Sequence, residues 1–199
     1  LEEFDYIGVG RDDGKQKGEY CAVFYQPQKI RLLESGTFWL SESPKKVSVG
    51  WDAALPRICT YGLFEDDDVN KFWVFNTHFD HKGEQARKQS ASLIIDQINT
   101  INDEQYPVVL MGDFNATPTD DPIKVIGNNL DTITGGTESL LSGPIGTYNG
   151  FEQIQQDRRI DFIFTRGFHV ESYLHANPKS GQGQFLSDHL PVIVQAIIH

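Results

Sequence analysis

Val108-Val109-Leu110-Met111-Gly112-Asp113-Phe114-Asn115 is the stretch whose reading decides the fold. A hydrophobic run ends abruptly in Gly-Asp-Phe-Asn, so a buried strand delivers a carboxylate and an amide to its carboxyl edge. In open α/β sheets that edge is where ligands bind. Phe72-Trp73-Val74-Phe75-Asn76-Thr77-His78 is built the same way and ends in a histidine. Arg159-Ile160-Asp161-Phe162-Ile163-Phe164 carries its aspartate within the run, and Ser187-Asp188-His189-Leu190-Pro191 stands near the end. These segments offer Asp, Asn and His, while the whole chain holds only two cysteines. That inventory suits oxygen-ligated metals and general-base hydrolysis.

Working outward, Pro107 opens the central strand, and residues 84–101 before it read as the clearest helix. Ala91, Ile94, Ile95, Ile98 and Ile101 recur there at helical spacing, with Glu84, Arg87 and Lys88 toward the polar start. Residues 58–64 and 72–79 read as two strands joined by the acidic turn Glu65-Asp66-Asp67-Asp68. The run is read as a solvated turn, since neither its spacing nor its lack of Gly fits a calcium loop. Further strands are expected at residues 6–10, 19–26, 31–40, 159–165, 169–175 and 191–198. A short helix is expected from Asp121-Pro122 to Ile126, with proline suited to a first turn. Residues 11–18 and 41–52 read as loops, and 131–150 as an irregular, Gly-rich surface segment. Mixed strands with two convincing helices predict α/β or α+β layers.

At 199 residues the chain fits one domain, 1–199, with a sizeable core. Its 39% hydrophobic and 12% aromatic content is that of a packed globular protein. No apolar run approaches bilayer-spanning length. With 28 Asp and Glu against 17 Lys and Arg, the formal charge is -11. Such a balance disfavours tight non-specific binding to a polyanion, which depends on many Lys and Arg contacts to phosphates. It leaves room for a phosphate substrate, because clustered acids can hold a cation that reverses the local field. Cys21 and Cys59 belong to no zinc-like cluster and read as buried thiols, their pairing open. Compartment is open as well, export included, and the chain is expected to be a monomer.

Asp113 and Asn115 lie two positions apart, so on an extended backbone they face the same way. Either they serve a site, with Asp113 orienting a water and Asn115 donating to a phosphoryl oxygen, or they form an Asx turn capping the strand. Asp188 and His189 are adjacent and should diverge to different partners. His189 is suited to general-base or hydrogen-bonding work and Asp188 to a hard cation, with Asp161 available to fix the imidazole tautomer. The alternative is a structural Asp-His pair at a strand entrance. His78 is read as a contact to a substrate oxygen; zinc held by His78 and His81 is the minor reading, since the motif leaves a strand rather than lying on a helix. Arg57 is read either as a phosphate fork or as the partner of an acid. Arg158 and Arg159 are assigned to salt bridges. Phe38, Trp39 and Trp51 flank the long loop and are read as core residues or as contacts to a sugar, base or lipid.

Thr77-His78, Gly112-Asp113-Phe114-Asn115, Arg159-Ile160-Asp161 and Ser187-Asp188-His189, in this order, resemble the endonuclease/exonuclease/phosphatase superfamily with its DNase I-like fold. The resemblance runs from Asp5-Tyr6-Ile7-Gly8-Val9-Gly10 to the last strand. It implies a four-layer α/β sandwich, two mixed β-sheets packed face to face with helices outside. It also implies phosphoester hydrolysis with Mg²⁺ or Mn²⁺ by in-line attack of water. Carried over, His78 is the phosphate-binding histidine, Asp113 the water-positioning aspartate and Asn115 its phosphate-contacting partner. Asp188, with Asp113, is metal-associated, His189 is the catalytic histidine oriented by Asp161, and Arg57 contacts phosphate. One departure stands out. The family's amino-terminal strands supply an Asn and a metal-binding Glu in a Gln-Glu word, and neither word occurs here. Those strands are expected upstream of Leu1; a protein that has lost its principal metal ligand is the alternative. The functions that follow are a metal-dependent phosphoesterase, a catalytically silent binding module of the same fold, or a zinc hydrolase. The substrate stays open among nucleic acid, nucleotide, sugar phosphate and lipid head group, with net acidity favouring a small or lipid-like ester over duplex DNA.

Overall fold

The computed structural model describes residues 3–132 and 140–198. Its centre is a mixed six-stranded sheet in the order β3-β4-β5-β6-β9-β7. These strands are β3 (Ile30–Trp39), β4 (Ile58–Asp66), β5 (Lys71–His78), β6 (Val108–Asp113), β7 (Asp131–Thr132) and β9 (Asp161–Arg166). β5 and β6 run parallel, and the other neighbours are antiparallel. The parallel step needs a crossover, which α1 (Glu84–Ile101) provides.

Alternation along each strand sorts the two faces. Trp73, Phe75, Val108, Leu110, Phe162 and Phe164 bury their side chains toward α1 and α2 (Asp121–Gly127). α1 answers with Ala86, Ala91, Ile94, Ile95 and Ile98, a stripe that matches the sequence periodicity. Its first turn is capped from a distance, the Asp52 carboxylate accepting from the Ala86 amide at 2.6 Å.

The opposite face carries a second layer. There β1 (Asp5–Ile7) pairs with β2 (Val23–Tyr25) and packs on β4, while β11 (Val192–Ile198) packs on β9. β11 lies in a mixed three-stranded sheet, β11-β10-β8, with β10 (Phe168–His175) and β8 (Leu141–Ser142). The architecture is an α/β sandwich of two packed mixed sheets, with both described α-helices outside the larger one. Between the two parts of the second layer, Phe72 and Val74 of β5 and Val109 and Met111 of β6 line an apolar groove of about 550 Å³.

Most expected elements appear, with ends shifted by up to four residues. β2 covers only Val23–Tyr25, because the Ala22 carbonyl is taken by the Asn76 side chain at 2.8 Å. The acidic turn closes the β4–β5 hairpin, with the Asp66 carboxylate accepting from the Asp68 and Asn70 amides. Within 131–150, residues 133–139 lie outside the described ones, and the remainder departs from the expected irregular surface. It contains β7 and β8, and Thr147 and Asn149 are fully buried. Arg158 and Arg159 make no salt bridge among the described residues; their guanidinium groups lie over aromatic rings, Arg158 at 4.0 Å from the Tyr148 centroid and Arg159 at 5.0 Å from that of Phe162. Flat, weakly hydrated guanidinium groups stack readily; Tyr148 is within reach of Arg158, and Phe162 and Tyr173 are within reach of Arg159.

Candidate active site

Sheet register aligns three residues. His78 is the cross-strand partner of Asp113, and Asp113 of Asp161, so β5, β6 and β9 present them in one row at the sheet's edge. All three lie on the face opposite the helices. The crowding is tight at Gly112, where φ is +146° and an added Cβ would lie 1.9 Å from the Thr77 carbonyl oxygen. Only glycine lets β6 approach β5 this closely.

His189 closes the row from the loop before β11. Its Nδ1 donates to Asp161 Oδ2 at 2.8 Å, because a carboxylate only accepts, and this leaves Nε2 4.0 Å from Asp113 Oδ2. His78 Nε2 lies 3.3 Å from the same Asp113 oxygen. Asp113 therefore sits between two imidazoles. The Asx-turn reading of the Asp113–Asn115 pair is realised: the Asn115 amide donates to Asp113 Oδ1 at 2.8 Å, while its Nδ2 donates to the Phe79 carbonyl at 3.1 Å and to Asp113 Oδ2 at 3.3 Å.

Two buried residues wire the motifs to each other, and sequence reading missed both. Thr147 Oγ1 accepts from the Ile160 and Asp161 amides at 3.0 and 3.1 Å, holding the start of β9. The Asn149 amide donates to the Asp188 carbonyl at 2.8 Å, and its side chain to that of Ser187 at 3.0 Å. Tyr148, between them, packs edge-on against His189. The polar, Gly-rich composition of this segment masked the signal.

Arg57 is buried, with its side chain 4% exposed. Nε donates to Asp80 at 3.2 Å and Nη2 to His81 Nδ1 at 3.0 Å, while Nη1 has no hydrogen-bond partner. The acid-partner reading of Arg57 is realised through Asp80, and Nη1 is left over. Asp80 also accepts from the Ala54, Lys82 and Gly83 amides. His81 faces Arg57 and joins no metal-ligand group with His78 among the described residues, which removes the support for zinc. Glu19, another residue the sequence did not single out, reaches in from the β1–β2 loop and lies 3.7 Å from His78 Nδ1. Phe38 and Trp39 are core residues. Cys21 and Cys59 are free thiols, and burial pushes Cys21 up to about 12.

Burial and the nearby Arg57 charge push the His78 pKa down to about 4, so its imidazole is neutral at physiological pH. Asp113 is pushed up to about 6 by burial and by Asp161 facing it. For His189, burial opposes protonation, but the hydrogen bond and charge of Asp161, with Asp113 and Asp188 behind it, outweigh burial and raise the pKa. Asp113, Asp161 and His189 bring one ligand atom each within 4.8 Å of one another. Two facing carboxylates suit a hard divalent cation, which would relieve the repulsion that raises Asp113. Asp188 stands outside this trio.

The comparisons agree with this fold. Residues 12–189 match the sequence profile of the Endonuclease/Exonuclease/phosphatase family. The mannosyl-6-phosphatase of Bacteroides thetaiotaomicron VPI-5482 superposes with a TM-score of 0.91 at 37% identity, covering 100% of this chain and 78% of that one. An endonuclease/exonuclease/phosphatase from Bacteroides vulgatus superposes at 0.92 with 40% identity, again over 100% and 78%. An uncharacterized protein of Acanthamoeba polyphaga mimivirus is 28% identical over 98% of this chain and 76% of its own. By profile, fold and the order of its four motifs, the chain belongs to the Endonuclease/Exonuclease/phosphatase family.

Proposed function

We propose that this protein is a divalent-metal-dependent phosphoesterase that cleaves its substrate by in-line attack of water on phosphorus. One observation carries the reading: His78, Asp113 and Asp161 stand in a single row across three strands, and His189 is locked onto that row by its 2.8 Å bond to Asp161. The neutral His78 donates to a phosphoryl oxygen, and the free Nη1 of Arg57 reinforces it. Asp113 orients the attacking water, with Asn115 beside it contacting a second oxygen. Asp161 holds the Nδ1 proton of His189, so Nε2 faces the reacting groups and exchanges protons there. Mg²⁺, or Mn²⁺, held by Asp113 with Asp161 or Asp188, would supply charge stabilisation at the phosphoryl group.

The named relative acts on a mannosyl 6-phosphate, which makes a sugar phosphate monoester the first substrate to try here. The test is Mg²⁺-dependent phosphate release from mannose 6-phosphate, and turnover of bis-p-nitrophenyl phosphate, by wild type and His189→Ala. Turnover that requires metal and disappears in the variant supports the reading. A variant as active as wild type would sink it.

A further inference from the structure

The loop between β1 and β2 is more ordered than its polar composition predicts. The Arg11 amide donates to the Glu19 carbonyl at 3.1 Å, the Asp12 amide to Lys17 at 3.0 Å, and the Gly10 amide to Lys15 at 3.0 Å. The Asp13 carboxylate accepts from the Lys15 and Lys17 amides, and the Trp39 indole donates to the Arg11 carbonyl at 2.8 Å. Backbone passes so close at Gly10 that an added Cβ would lie 2.2 Å from the Lys17 carbonyl oxygen. A platform this constrained fixes where Arg11 and Glu19 point.

Glu19 points at the row and Arg11 pairs with it, with Arg11 Nε 3.7 Å from the Asp12 carboxylate. The Glu19 carboxylate pairs with Arg11 and lies 3.7 Å from His78 and 3.9 Å from Arg57 Nη1. Arg11, Glu19, Arg57 and His78, closed off by Cys21 and Ile58, line a cavity of about 10 Å³, room for one oxygen atom. Two donors on this cluster, Arg57 Nη1 and Arg11 Nε, are buried without hydrogen-bond partners. Glu19 is 61% exposed and offers acceptors to an incoming group.

We propose that Arg11 and Glu19 form a hydroxyl-recognition subsite that selects a phosphorylated sugar or polyol by its alcohol side. The proposal rests on the phosphoesterase reading above. A hydroxyl both accepts and donates, so it satisfies a guanidinium and a carboxylate together. A second phosphoryl group would meet the Glu19 charge and be repelled. An apolar or aromatic alcohol would leave the buried Arg11 Nε unpaired, which discriminates against it.

The experiment is calorimetric titration in Mg²⁺ of the full chain made unreactive by His189→Ala, with position 11 either wild type or substituted, against mannose 6-phosphate, phenyl phosphate and inorganic phosphate. With Arg11 in place, the chain is expected to prefer mannose 6-phosphate to phenyl phosphate by about 10- to 100-fold, the range for hydrogen bonds to charged groups. Arg11→Ala should erase that preference while inorganic phosphate affinity stays within about threefold. Arg11→Lys keeps the charge but loses the fork, and should show the same direction of loss if the alanine variant misfolds. Equal affinities with Arg11 in place, or a preference that survives both substitutions, overturns the proposal alone. A chain with Arg11 in place that binds none of the three overturns the phosphoesterase reading, and the proposal with it.

Discussion

His189 Nδ1 meets Asp161 Oδ2 at 2.8 Å, and this contact turns the opposite ring nitrogen toward Asp113, 4.0 Å away. The tautomer and the aim of the imidazole are therefore set by one hydrogen bond across two distant segments. Asp161→Asn should lower kcat/KM by about 10²–10⁴-fold, the usual share of a positioned acid–base group. His189→Ala should cost as much, and the double variant little more, because the pair acts as a unit. Steady-state kinetics on all three variants checks this; additive losses would contradict it.

On the metal-dependent reading, Asp113 links stability to cation binding. In the metal-free protein its pKa is raised to about 6, against about 3.9 in an unfolded chain. A raised carboxyl contributes stability that is fully present below the unfolded value and lost as pH rises through about 6. Metal-free Asp113→Asn should consequently be more stable than wild type at pH 8, by up to about 2–3 kcal/mol. Mg²⁺ should raise the Tm of wild type more at pH 7.5 than at pH 5, since protons compete for the ligand, and should do little for the variant. Urea and thermal unfolding with and without EDTA read both effects.

Asp80 anchors the buried Arg57. Burial works against its charge, but the Gly83, Ala54 and Lys82 amides and the Arg57 guanidinium hold its pKa well below the carboxylate range. A depressed carboxylate contributes stability above its unfolded pKa near 4, lost as pH falls toward the lower folded value. Asp80→Ala removes the close carboxylate partner of the buried Arg57 and should destabilise by about 3–5 kcal/mol. Its acid unfolding should also be shallower than that of wild type below about pH 4.

Thr147 can be tested without touching the chemistry. Its Oγ1 accepts from the Ile160 and Asp161 amides, so Thr147→Val strands two buried donors at similar volume. The expected cost is about 1–3 kcal/mol of stability. A fall in kcat should accompany it, because the start of β9 carries Asp161. Chemical denaturation and kinetics on the same preparation would check both.

Local patterns made much of this protein legible in its sequence. The apolar spacing of Ala91, Ile94, Ile95 and Ile98 is a property of one helix, and α1 spans the residues that spacing marked. The runs ending at His78 and Asp113 are likewise strand-length patterns, and alternation alone put their side chains on one face. Four motifs in order were enough to point to the family, Asp161 as the orienting carboxylate included. What no local pattern carries is which strands become neighbours. Only the order β5-β6-β9 and its register put His78, Asp113 and Asp161 in one row, through hydrogen bonds between segments far apart in the chain. The same holds for Arg57 on Asp80, Thr147 under Asp161, and Glu19 beside His78. Composition suggested which chemistry was available; long-range pairing of backbone groups, each of which must be satisfied once buried, decided where it converges.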